Sequence, residues 1–319
     1  MKKSTRWIGI AMGVMIALTA LSACGGSGKK VVVASKQFTE NILLSEIYAQ
    51  LIEAKTDIKV ERKQNLGGTS VCFPGMEKGE IDIYVEYSGT AYNEILKMEG
   101  AGVANSDEIY QISQEKLNSE YGVTMFSPIG INNTFALAML RTQAEEKAIS
   151  SMSDLAALTA NTDIRFGANH IFYTRELDGY DKMVELYGMK FSEALKMDTS
   201  LLYDAIEQNQ LDVMVVYATD SLLKKYDMVV LQDDKEMFPA YHGAPICRNE
   251  VLETYPELRE ILDLLKGRID DARMQALDYE IDVNNQTPEQ VAKQFIEDEG
   301  LLQYSGTTLK KESPFHKVV

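Results

Sequence analysis

The sequence predicts an α/β protein of two similarly built lobes joined by two strand-like crossings, and three observations predict it. Short apolar runs alternate with segments of helical spacing, the pattern of parallel sheets covered by helices. One helix-turn-strand unit occurs twice. TSVCFPGMEKGEIDIYVEYSGT (69–90) and TSLLYDAIEQNQLDVMVVYATD (199–220) align without a gap and share Thr69/Thr199, Ser70/Ser200, Glu77/Glu207, Asp82/Asp212, Val85/Val215 and Tyr87/Tyr217. Two extended segments, SPIGINNTFALAML (127–140) and DDKEMFPAYHGAPICRN (233–249), separate the units from one another and from the later helices. The expected division is a signal peptide (1–23), a tether (24–30), a discontinuous first lobe (31–131 and 240–319) and a second lobe (132–239).

The elements follow in order. Lys2, Lys3 and Arg6 precede an apolar run, Trp7 to Ala20, that is short for a membrane span and suits a signal peptide. Leu21-Ser22-Ala23-Cys24 resembles a bacterial lipoprotein box, which implies lipidation at Cys24 on the outer face of the cytoplasmic membrane. Gly25-Gly26-Ser27-Gly28 reads as a flexible tether. Val31–Ala34 is a strand, Glu40–Ala54 a helix burying Ile42, Leu43, Ile47 and Leu51, and Ile58–Val60 a second strand. In each repeat Thr or Ser caps a helix, a polar turn with Asp follows, and a strand ends on tyrosine. In the first copy Ile81, Ile83, Val85 and Tyr87 fall on one side and Asp82, Tyr84 and Glu86 on the other; the run breaks at Ser88-Gly89-Thr90. Helical patterns then reach Tyr121. In the second lobe Ile164–Gly167 is a strand, Gly179–Tyr187 a helix and Lys190-Phe191 a short extension. Late helices begin at Asn249 and at Thr287-Pro288-Glu289-Gln290, a capping box that runs to about Gly300. If they complete the first lobe, the chain crosses twice, and the two crossings form a hinge beside a ligand cleft.

Charge and composition exclude several functions. The net charge of −16 over 319 residues becomes more negative once the leader is removed, which argues against nucleic acid and against electrostatic binding to anionic lipid. Cys72 and Cys247 leave two readings open: a disulfide, permitted in an oxidising compartment, or two buried thiols. Three histidines without ligand spacing give no metal site, and no cofactor motif occurs. His242 with Cys247 lacks an orienting third group for nucleophilic catalysis, so the chain reads as a non-enzyme; it is also expected to be a monomer. Gly67-Gly68-Thr69 reads as a turn and cap that can also face an anion.

The cleft carries the function. Ligands of open α/β sheets bind beyond the carboxyl ends of the strands. Tyr87 and Tyr217 stand at two such ends, Phe135 lies on the first crossing and Tyr241 just after the second. Four aromatic faces around one gap suit a cation without hydrogen-bond donors, above all a quaternary ammonium, at about 0.5–2 kcal/mol per face.

ASKQFTENILLSEIYAQLIE, NLGGTSVCFPGMEKGEIDIYVEYSGTAYNEIL, FGANHIFYTRELDGY and FPAYHGAPI resemble the substrate-binding proteins of osmoprotectant ABC transporters, the quaternary-amine uptake family. The resemblance covers nearly all of residues 30–305. It implies a two-lobe, type 2 periplasmic-binding-protein-like fold and capture of glycine betaine, carnitine or choline for an ABC permease with its ATPase. Position by position, it implies a cage of Tyr87, Phe135, Tyr217 and Tyr241 and a carboxylate clamp of Lys36, Thr90 and Arg175. Relatives often carry Asp-x-Tyr where this chain has Asn133-Thr134-Phe135, a departure that removes a charge and a hydroxyl and suits ergothioneine, a bulkier trimethylated betaine. The rival class is a lipoprotein enzyme acting on small amines.

Overall fold

The computed structural model describes residues 29–98, 106–175 and 178–302; the expected signal peptide, Cys24 and most of the tether lie outside the described residues. Among the described residues ten strands form two five-stranded sheets. The strands are β1 (Lys30–Ala34), β2 (Lys59–Lys63), β3 (Ile83–Tyr87), β4 (Val123–Met125), β5 (Phe135–Leu140), β6 (Arg165–Ala168), β7 (Glu193–Lys196), β8 (Val213–Tyr217), β9 (Met228–Val230) and β10 (Gly243–Arg248). The sheet orders are β2-β1-β3-β10-β4 and β7-β6-β8-β5-β9. Each has a parallel triplet, β2-β1-β3 or β7-β6-β8, then a strand antiparallel to both its neighbours. The two sheets therefore have one topology, as the sequence repeat requires. In each, the antiparallel member is the strand that leaves a crossing: β5 after the first, β10 after the second.

The alternation read along β3 is the layer structure of the first lobe. Val31, Val33, Ile83, Val85 and Tyr87 face one core, with Leu43 and Ile47 of helix α1 (Thr39–Lys55) and later residues such as Phe295. Tyr84 and Ile246 face the other, with Cys72, Phe73 and Met76 of α2 (Thr69–Glu77) and Leu117 of α3 (Ser106–Tyr121). Every residue of β3 is buried because helices cover both faces. The second lobe repeats this. Leu137, Phe166 and Val215 pack with Met183 of α4 (Tyr180–Tyr187), and Ala136, Met214 and Val216 pack with Leu202, Tyr203 and Ile206 of α5 (Thr199–Glu207). The late helices α6 (Asp271–Asp282) and α7 (Pro288–Asp298) return to the first sheet, α7 starting from the capping box at Thr287 and Gln290.

The repeated aspartates have the same work in both lobes. Asp82 accepts the Val32 N–H at 2.8 Å and Asp212 the Arg165 N–H at 2.8 Å, so each ties its strand to the parallel neighbour at the residue just before β3 or β8 begins. Two details depart from expectation, and one of the two readings left open for the cysteines is decided. Thr69 is the first helical residue rather than the cap; Gly68 is the N-cap, and the Thr69 hydroxyl instead donates to buried Glu86 at 3.0 Å. The extension expected at Lys190-Phe191 lies three residues later as β7, because Phe191 stacks on Phe166, with ring centroids 4.7 Å apart. Cys72 and Cys247 are free thiols in different cores on opposite faces of the first sheet, so no disulfide joins them. Burial pushes the Cys72 thiol up to about 11, outside the range of a reactive thiolate.

The crossings touch each other. Asn132 and His242 form an antiparallel bridge, the Asn132 side chain accepts the Tyr241 N–H at 2.7 Å, and the Thr134 hydroxyl donates to the Pro239 carbonyl at 2.9 Å. Among the described residues no helix is long and apolar enough to cross a membrane.

Candidate functional site

The strand ends meet at the crossings. Tyr87, the last residue of β3, pairs with Gly243, the first of β10; Tyr217, the last of β8, pairs with Phe135, the first of β5. The two lip tyrosines are thus equivalent positions of two like sheets. The Ser88-Gly89-Thr90 turn explains how the first lip is built. The Ser88 hydroxyl accepts the His242 N–H at 3.0 Å and donates to the Ala240 carbonyl at 3.3 Å, which ties the turn to the second crossing. Gly89 has no side chain because the Tyr241 ring lies there: a Cβ would sit 2.7–2.9 Å from three of its ring carbons. Gly89→Ala is therefore expected to displace the Tyr241 ring and weaken ligand binding by about fivefold or more, one cation–π contact's worth, with little change in melting temperature. Titration calorimetry beside a thermal melt checks this, and an unchanged affinity would show that Tyr241's position does not matter.

A cavity of about 620 Å³ lies between the lobes, and all eight residues singled out in the sequence line it: Lys36, Tyr87, Thr90, Asn133, Phe135, Arg175, Tyr217 and Tyr241. They do not contribute alike. Tyr217 is 36 % exposed and stacks on Phe135, centroids 5.0 Å apart; Phe135 is 6 % exposed and also lies 5.3 Å from the Arg175 guanidinium, so it backs Tyr217 more than it faces the gap. Tyr87 is buried. The Lys36 ammonium lies 5.0 Å from its ring centroid, and its hydroxyl donates to Glu40 at 2.5 Å.

Both candidate clamp cations already have acid partners. Lys36 pairs with buried Glu86, which also accepts from Thr69, Tyr84 and the Tyr87 N–H. Arg175 makes a two-pronged pair with Asp178 at 2.5 and 2.6 Å and donates to the Tyr241 hydroxyl at 3.1 Å. Burial opposes its charge, but Asp178 and Tyr241 outweigh burial and hold the guanidinium above its usual range. Asn133 donates to Glu40 at 3.1 Å, so an aspartate there would set two carboxylates against each other.

Sequence reasoning missed a ring and an acidic wall. Phe38 is 37 % exposed, lines the cavity and lies 6.0 Å from Tyr87. The signal was an aromatic directly before a helix, two residues after Lys36. Glu40, Asp220, Asp278 and Asp282 line the same cavity. They come from α1, from the loop after β8 and from α6, so no local motif unites them. Burial raises Glu40, though hydrogen bonds from Tyr87, Thr219 and Asn133 oppose it. Burial, then repulsion from Glu40, Asp282 and Asp220, raises Asp278 well above the ordinary carboxyl range; burial also raises Asp220 and Asp271. An acid whose pKa is higher folded than unfolded favours the fold below the unfolded value and withdraws that support as pH rises through the folded one. The ligand-free protein is therefore expected to melt higher near pH 5 than near pH 7.5, and Asp278→Asn to raise the melt at pH 7.5 and flatten the slope. A slope unchanged by Asp278→Asn would contradict this. Asp154, held near 2 by Ser150 and Ser151, acts in the opposite sense only below its ordinary value of 3.8.

Two like-built α/β lobes, crossed twice and enclosing a ring-lined cavity, define a solute-binding clamp of the periplasmic-binding-protein kind. Residues 29–298 match the family described as the substrate binding domain of ABC-type glycine betaine transport systems, and the chain belongs to that family. Its members are transport receptors rather than enzymes. The chain is 35% identical over 300 residues to the glycine-betaine-binding protein of Pseudomonas aeruginosa, with 90% of this chain and 94% of that one covered. It is also 35% identical over 274 residues to the ergothioneine transport permease/ergothioneine binding protein EgtU of Helicobacter pylori, with 86% of this chain covered; the match spans 48% of that relative's length. A crystal structure described as a glycine betaine/carnitine/choline ABC transporter superposes with a TM-score of 0.81 at 29% identity, covering 87% of this chain and 100% of that one.

Proposed function

We propose that this chain captures a small quaternary ammonium solute of the glycine betaine, carnitine or choline type between its lobes and delivers it to an ABC permease with its ATPase. The observation that supports the reading is one cavity lined from both lobes and the second crossing by Tyr87, Tyr217 and Tyr241, with Phe135 behind Tyr217 and cationic groups at Lys36 and Arg175. A ligand touching both lobes stabilises the closed clamp by its differential affinity for that state. In this reading residues 31–131 and 240–319 form one lobe and 132–239 the other, Cys24 carries the lipid anchor on the outer face of the cytoplasmic membrane, and the receptor works as a monomer.

A second reading, a trimethylated betaine with a larger arm such as ergothioneine, is favoured by the acidic wall. That wall lies in the same cavity and offers acceptor oxygens to an N–H or O–H bearing arm, which glycine betaine lacks. A thermal-shift panel of glycine betaine, carnitine, proline betaine, choline and ergothioneine tests both. At least one is expected to raise the melt, to bind saturably and to be recovered unchanged. Conversion of the ligand to product would instead support the enzyme, and indifference to the whole panel would end the proposal.

A further inference from the structure

We infer that Asp278, seconded by Glu40, is a specificity determinant that accepts a hydrogen bond from an N–H or O–H bearing arm of the trimethylated ligand. The inference rests on the function proposed above and deepens it: the substrate class becomes a donor-bearing betaine rather than a compact one.

The donors around the acidic wall are already committed. The Tyr87 hydroxyl and the Asn133 amide both reach the Oε1 oxygen of Glu40. The hydroxyls of Thr39 and Ser221, one from each lobe, both reach Asp282 at 2.7 Å. What remains is Asp278 Oδ1 and Glu40 Oε2, two buried oxygens without a hydrogen-bond partner among the described residues. The Thr219 hydroxyl faces the Glu40 carboxylate from the second lobe, so Asp278 is the less satisfied of the two. Both residues are almost fully buried, 4 % and 3 % exposed, and both line the cavity that holds the aromatic rings. Native proteins rarely leave such groups unpaired, because an unmet buried acceptor forfeits its hydration without return.

The chemistry of the missing group follows. A trimethylammonium has no N–H, so it softens the negative field but leaves these oxygens unbonded. A carboxylate is an acceptor alone and offers these oxygens no donor. A hydroxyl or ring N–H on the same ligand supplies the donor. The space permits it: about 620 Å³ is several times what an eight-heavy-atom betaine fills, and lies within the range of cavities that hold larger ligands.

Calorimetric titration of the purified protein tests this, with ergothioneine and carnitine as donor-bearing probes and glycine betaine as the donor-free probe. The wild type is expected to prefer the better donor-bearing probe by at least about tenfold. Asp278→Leu should shrink that preference by about tenfold, the scale of one hydrogen bond to a buried acceptor. Asp278→Asn keeps the shape of the side chain and one acceptor oxygen, should shrink the preference less, and carries the test alone if Asp278→Leu does not give a cooperative melt. A preference unchanged by either substitution overturns the inference. So does an equal loss for all three probes, which would make Asp278 only a source of negative potential for the cation. A wild type that binds all three equally also overturns it. A wild type that binds none overturns the proposed function itself, a result distinct from the others.

Discussion

Glu86→Ala is expected to lower folding stability by about 3–5 kcal/mol, the largest effect of any single substitution in the site. Glu86 is fully buried at the penultimate position of β3 and pairs with Lys36, whose own side chain is 6 % exposed. Removing the carboxylate strands an ammonium in the first lobe and also frees the Thr69 and Tyr84 hydroxyls from their acceptor. The pair itself is not worth that much. The loss comes from leaving its partner uncompensated, so the double variant Lys36→Met/Glu86→Ala should recover a large part of it. Urea unfolding of the two single variants and the double measures the coupling. Additive losses would mean that Lys36 and Glu86 act independently. The pairing also bears on the proposed function: Lys36 and Arg175 alike would reach a ligand's carboxylate only by sharing their acid partners, Glu86 and Asp178.

Tyr217→Ala is expected to weaken the preferred trimethylated ligand by at least about tenfold. Of the four rings first assigned to the cage, Tyr217 is the most exposed, and Phe135 stacked behind it holds it in place. Truncation removes a face and opens a gap over Phe135, so more than one contact is lost. Tyr217→Phe keeps the face and should keep most of the affinity. A dissociation constant unchanged in Tyr217→Ala would remove this residue from the site.

The fold was legible where periodicity and repetition both spoke. The two copies ending at Tyr87 and Tyr217 share a ladder position, an aspartate that accepts a neighbouring strand's N–H, and an antiparallel partner. Matching residues recorded matching backbone geometry. The short exposed β7 was misplaced because Phe191 is apolar for ring stacking rather than for strand pairing. The cap expected at Thr69 failed for a different reason: its hydroxyl serves a buried carboxylate that is distant in sequence. Four rings of the cavity were visible because each sits at a strand end or on a crossing; Phe38, just before α1, was not. The acidic side was not, since Glu40, Asp220 and Asp278 look like ordinary solvated charges on amphipathic segments until α1, α6 and the loop after β8 come together. Neither could the sequence show that Lys36 and Arg175 arrive already paired, because Glu86 reads as one polar step of an alternating strand.

In the proposed function the rings at the seam of the two lobes hold a methylated nitrogen. A crystal structure of the protein with its best-binding trimethylated amine tests it most directly. The quaternary nitrogen is expected within about 6 Å of the Tyr217 and Tyr241 ring centroids. A nitrogen bound outside this cavity, or seated against Asp278 away from both rings, would contradict it.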